Sequence, residues 1–80
     1  MHEYGIAENI LEEVLKALEG RKFERITKIE LEVGQFNLVT EKSLQEAFEL
    51  AAEGTPAQGV RLDIRMSAGM EIEIKHVEAV

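Results

Sequence analysis

The sequence predicts an α+β two-layer domain: two helices packed on one face of a three-stranded mixed sheet, in the order α-β-α-β-β, with the last two strands forming a hairpin. Three observations predict it. Apolar residues recur at helical spacing over residues 6–18 and 44–51, three later runs alternate apolar and charged residues, and glycines or a proline punctuate the joins. The 80 residues make a single domain, 1–80, with no repeat, low-complexity tract or linker. A domain of this size buries roughly 60% of the surface its unfolded chain exposes.

The first helix is amphipathic. Ile6, Ala7, Ile10, Leu11, Val14, Leu15 and Leu18 form a core-facing stripe, with Glu8, Glu12, Glu13, Lys16 and Glu19 on the other face. Gly20 suits the position just past the helix end, and Arg21 and Lys22 suit its negative pole. Then Thr27, Ile29, Leu31 and Val33 alternate with Lys28, Glu30 and Glu32, a half-buried strand; Ile26 falls on the opposite face and marks its entry. Gly34 ends the run, and Phe36 and Leu38 are expected to tuck against the core from the following loop.

Thr40 offers an N-cap to a second helix whose stripe is Leu44, Ala47, Phe48 and Ala51, closed by Gly54 with Pro56 beyond. A second strand follows, with Val60, Leu62, Ile64 and Met66 inward between Arg61, Asp63 and Arg65. A third has Met70, Ile72 and Ile74 inward between Glu71, Glu73 and Lys75. Only "SAG", 67–69, joins these two, the basis for the hairpin. Strand-helix-strand between Ile26 and Met66 predicts a parallel pair. Val77 is out of phase with Ile74, so the pattern slips at Lys75-His76; a β-bulge is the usual remedy, placing His76 at the bulge or toward solvent.

Composition narrows the function. Sixteen acids against nine bases give a net charge of −7, which repels phosphate backbones and argues against nucleic acid. No stretch approaches the roughly 20 apolar residues of a membrane span, and the acidic start is unlike a signal peptide, so a cytoplasmic location with no membrane partner is expected. The absence of cysteine leaves no disulfide, thiol nucleophile or thiolate zinc site. Ser43 and Ser67 lack the motif context of a nucleophile, and "GTPAQG" lacks the lysine of a phosphate-binding loop. The chain does not read as an enzyme.

One pattern carries chemistry. His2 lies beside the α-amine of Met1, in a part of a chain that usually carries little structural duty. The amine, the His2 amide nitrogen and the His2 imidazole can close a five-membered and a six-membered ring on one metal. Displacing an amide proton takes a strongly polarising ion that favours a planar field, Ni(II) or Cu(II) over Zn(II). The fourth position is open to the Glu3 amide, a side chain, water or a partner.

"MHEYGIAENILEEVL" resembles the opening of the HypA/HybF family, the nickel metallochaperones of [NiFe]-hydrogenase maturation. The resemblance continues through "KIELEVGQFNLVTEKSLQEAFELAAEGTPAQGVRLDI" and resumes at "GMEIEIKHVEAV". It implies Ni(II) bound at Met1, His2 and Glu3 and handed to the hydrogenase large subunit, with Glu3 acting through its amide and its carboxylate as an outer option. It further implies a HypB-type GTPase and the hydrogenase large-subunit precursor as partners, and in some organisms urease maturation factors. The departure is large. Family members insert a zinc-binding domain with two CxxC pairs between the last two strands, where this chain has the short turn 67–69, so zinc is not expected here. The rival reading is an interaction module or scaffold that docks on maturation partners without useful nickel binding.

Overall fold

A computed structural model describes the backbone of residues 2–80 and the side chains of residues 3–80. Helix α1 (His2–Ala17) precedes strand β1 (Ile26–Gly34), a single 3-10 turn (Gln35–Asn37), helix α2 (Glu41–Ala51), strand β2 (Leu62–Ser67) and strand β3 (Ile72–Ala79). The expected order and the three-stranded mixed sheet are both present.

One apolar cluster holds the layers together. Ala7, Ile10, Leu11 and Val14 of α1 and Leu44, Ala47 and Phe48 of α2 are buried with Ile29, Leu31 and Val33 of β1 and Leu62 of β2. Among the described residues no polar or charged residue is buried, and no buried side-chain nitrogen or oxygen lacks a partner. Each helix spends its stripe on the sheet, and the opposite sheet face carries the charged residues of the alternation. α2 starts where the sequence requires: the Thr40 hydroxyl accepts from the Ser43 amide at 3.0 Å, and the Ser43 hydroxyl accepts from the Thr40 amide at 3.2 Å. This reciprocal cap satisfies two donors that a helix start otherwise leaves open.

The strands do not form the expected hairpin. Their spatial order is β2-β1-β3, with β1 parallel to β2 and antiparallel to β3. The connection 68–71 therefore crosses the end of β1 instead of turning back on itself. The outer strands of a three-stranded sheet lie about 9.6 Å apart, twice the usual strand spacing, and four linking residues reach that far when extended. Gly34 makes the crossing possible. A Cβ there would stand 2.5 Å from the carbonyl carbon of Gly69, so only glycine lets the strap lie on the end of β1. The Gly34 amide donates to Glu71 O at 2.7 Å and the Phe36 amide to Gly69 O at 2.9 Å, while the Asn37 side-chain amide donates to Met70 O at 2.6 Å. The physical preference is for burial. β1 is the strand richest in buried side chains, and the central position gives it two ladders.

Other expectations are corrected in detail. β2 begins at Leu62 and β3 at Ile72, so Val60 and Met70 lie outside the strands, although Val60 is buried in the loop. Met66 and Met70 do not point into the core; they are 40% and 68% exposed. Phe36 and Leu38 do not tuck in either, at 61% and 89% exposed. Ile26 belongs to the core, with Thr27 exposed, because the β1–β3 register shifts between Ile26 and Lys28 and reverses the alternation there. The second irregularity is the anticipated bulge. Glu30 pairs with His76 and Leu31 with Ile74, leaving Lys75 as the extra residue and His76 exposed on the outer face.

Candidate metal centre

The expected nickel donors lie at the start of α1. Met1 and the His2 side chain are outside the described residues, and the backbone of α1 begins at His2. Glu3 is in the first turn, half-buried. The first amides of any helix have no carbonyl one turn earlier to accept from them. A metal that replaces the amide proton of His2 or Glu3 therefore breaks no hydrogen bond of the helical ladder. Both rings of the chelate close through Met1 and the His2 side chain, so the helix from Glu3 onward can keep its conformation. The burial pattern fits this division, with Glu3 to Ile6 half-buried and Ala7 the first residue packed fully inside.

The fold fixes which end of the molecule this is. Leu18 and Phe23, just beyond α1, share a surface groove with Val77–Val80 at the end of β3, where β3 pairs with the start of β1. A 16-residue helix is about 24 Å long. Lying along the sheet, it carries its first turn to the other end, where β1 and β2 finish. α2 runs the same way. Its cap follows the end of β1, and the loop after it returns to the start of β1, where the Ile26 amide donates to Pro56 O at 2.9 Å. The first turns of both helices and the strap 68–71 thus share one end of the domain.

Among the described residues, no three His, Asp or Glu side chains converge on a metal-sized site. The outer sheet face comes nearest, with the row Asp63, Glu30 and His76 side by side across the strands. Its charges pair locally instead. Lys28 Nζ lies 3.0 Å from Glu30, and His76 Nε2 lies 2.9 Å from Glu78. The hydrogen bond from Lys28 is the main cause holding the Glu30 carboxyl below its usual range, and the same bond raises Lys28 above its own.

Sequence reasoning missed two polar residues with positioning duties. Gln45 of α2 reaches the outer edge of β2, its carbonyl accepting from the Leu62 amide at 2.8 Å and its amide donating to Val60 O at 3.4 Å. It occupies the place of a neighbouring strand. Asn37 holds the strap at Met70. Neither has a spacing signal, since each depends on a segment remote in sequence.

The sequence profile of a family described as "Hydrogenase/urease nickel incorporation, metallochaperone, hypA" matches residues 1–78. The chain belongs to the HypA family. Relatives named hydrogenase maturation factor HypA include that of Methanopyrus kandleri, 36% identical over 69 residues, 86% of this chain and 49% of that one. That of Polaromonas naphthalenivorans is 41% identical over 69 residues, 86% and 60% of the two chains. That of Methanocaldococcus jannaschii is 35% identical over 69 residues, 80% and 56%. This chain spans about half the length of the HypA relatives it matches.

Proposed function

We propose that this chain is the nickel-binding domain of a HypA-type metallochaperone. In this reading it takes Ni(II) at Met1, His2 and Glu3 and delivers it to the hydrogenase large-subunit precursor. The observation that carries the reading is the family match over residues 1–78, which includes the Met-His-Glu start. The open amides of the first helical turn support it. The Met1 amine, the His2 amide and the His2 imidazole supply three donors, and Glu3 supplies the fourth through its amide nitrogen or stands by with its carboxylate. Nickel is cargo here, so a chelate at the rim of the fold, released without disturbing the core, suits the task. The domain is not an enzyme in this reading. It acts in the cytoplasm, its partners are a HypB-type GTPase, the hydrogenase precursor and, in some settings, urease maturation factors. In this reading the strap stands where HypA-type proteins insert a zinc module, and zinc is not expected in this chain.

The test is a nickel titration of tag-free protein whose free Met1 amine is verified by mass. One equivalent should bind with a planar-type visible absorption band, and His2→Ala should abolish the band while leaving Tm unchanged, because among the described residues of α1 burial begins only at Ala7. Affinity should rise from mildly acidic to mildly alkaline pH, since amine, imidazole and amide must all shed protons. Weak, non-stoichiometric binding unaffected by His2→Ala would leave the domain as a docking module without a cargo site.

A further inference from the structure

Exposed large apolar residues concentrate at one end of the molecule. Phe36, Leu38, Met66 and Met70 all belong to the end of the sheet where the strap crosses, while Leu50 lies on α2 and Val80 at the opposite end. The hydrogen bonds from Phe36 to Gly69 and from Asn37 to Met70 bring the two segments together, and Met66 is opposite Val33 at the end of the β1–β2 ladder. Leu38 is the informative member. It is held at φ 70°, a left-handed conformation that strains any residue with a Cβ, and it is 89% exposed. Asparagine or glycine would make that turn with less strain, so burial within this domain gives no reason for a leucine there. Strain combined with an exposed apolar cluster marks a surface that binds.

The charge around the cluster selects the occupant. Glu71 follows Met70 in the strap, Glu73 pairs with Glu32 across the sheet beside it, and Glu41 opens α2 next to Leu38's turn. Among the described residues the cations on the same side are Arg65, Lys42 and Lys75, with Lys75 Nζ 3.5 Å from Glu73, so the four glutamates still outnumber them within a chain of net charge −7. Two copies of so acidic a chain repel one another, and an anionic lipid surface is disfavoured for the same reason. We propose that this end of the domain docks a segment of another protein in which apolar side chains are flanked by lysine or arginine. The surface stands on Phe36, Leu38 and their acidic rim, and it holds whether or not nickel binds at the first turn of α1.

The test is an amide chemical-shift titration of the chain, in the presence of a chelator, with a short synthetic peptide of leucine and lysine. A counterpart with glutamate in place of lysine serves as the comparison. The lysine peptide should perturb residues 35–38 and 66–71, and the glutamate peptide should not bind. Phe36→Ser with Leu38→Ser should weaken binding about tenfold, equivalent to about 1.4 kcal/mol, at unchanged Tm; if that pair fails to fold, Met70→Ser replaces it. Glu12→Gln with Glu13→Gln, which removes charge from the exposed face of α1, should leave affinity unchanged. The proposal is overturned if the shifts map to the outer sheet face or to α1, or if the α1 substitutions weaken binding as much as the patch substitutions. Sedimentation showing a dimer that Phe36→Ser dissolves would equally overturn it, by making a second copy the occupant.

Discussion

Replacing Gly34 by alanine tests the crossing of the strap more directly than any other single change. The residue sits at φ −66°, ψ 130°, an extended conformation alanine adopts freely, so any loss comes from contact. The added methyl would lie 2.5 Å from the carbonyl carbon and oxygen of Gly69 and 2.6 Å from Met70 N. All three are backbone atoms and cannot rotate aside. Either the strap lifts, straining the bonds from Gly34 to Glu71 and from Phe36 to Gly69, or β1 shifts in its ladders. Overpacking of this kind costs about 1–3 kcal/mol. In a domain of this size each kcal/mol moves Tm by roughly 4–8 °C, so the expected fall is about 4–20 °C. Thermal unfolding followed by circular dichroism measures it, and amide exchange should quicken at Gly34 and Phe36. Gly5→Ala is the matched control. It meets nothing within 4 Å, lies inside α1, and should gain about 0.5–1 kcal/mol. A Gly34→Ala protein as stable as its parent would mean that the strap does not rest on β1, and that β2 and β3 pair with each other after all.

Further expectations concern the cap, the core, the sheet edge and the outer face. Thr40→Ala removes the hydroxyl that accepts from the Ser43 amide, leaving only the bond from the residue-40 amide to the Ser43 hydroxyl, and should cost about 1 kcal/mol in denaturant unfolding. Phe48→Ala empties the centre of the cluster and should cost about 3–5 kcal/mol, leaving little of the native baseline in a urea titration. Gln45→Met keeps the length of the side chain but uncovers the Leu62 amide; the variant should aggregate faster under agitation, read by light scattering. The Glu30 carboxyl is lowered in the folded state, so its contribution is present above the unfolded carboxylate pKa and is lost as pH falls through the folded value. The urea midpoints of parent and Glu30→Gln should therefore differ at neutral pH and low salt and converge as pH falls through and below the carboxylate range. A constant gap across that window would contradict the Lys28–Glu30 account.

What the sequence disclosed was local. The stripe of α1, the Thr40 cap, the alternation of β1 and the slip at Lys75-His76 are all written in neighbouring residues, and the structure carries each of them. The failures are all non-local. A three-residue join between two alternating runs is a hairpin signal, and nothing within those runs says that a third strand will come between them. Ile26 and Thr27 exchange faces because of a register shift against β3, some fifty residues on. Phe36, Leu38 and Met70 are apolar yet exposed, because apolarity permits burial without enforcing it. For the nickel site, the residue types and spacing at Met1 and His2 are the whole signal, while the open amides of the first turn emerge only once α1 is known to begin there.

The central placement of β1 also shapes how the chain is made. Strand β2 ends at Ser67, so one edge of β1 can be satisfied once that residue has been synthesised, and the other edge must wait for residues 72–79. Through that interval a nascent chain on the ribosome presents a nine-residue strand rich in isoleucine, leucine and valine with an open row of amides and carbonyls. Such an edge recruits stray strands from neighbouring chains. The charges on its solvent face, Lys28, Glu30 and Glu32, act as gatekeepers over that window, and a protein truncated before Ile72 would keep the hazard permanently.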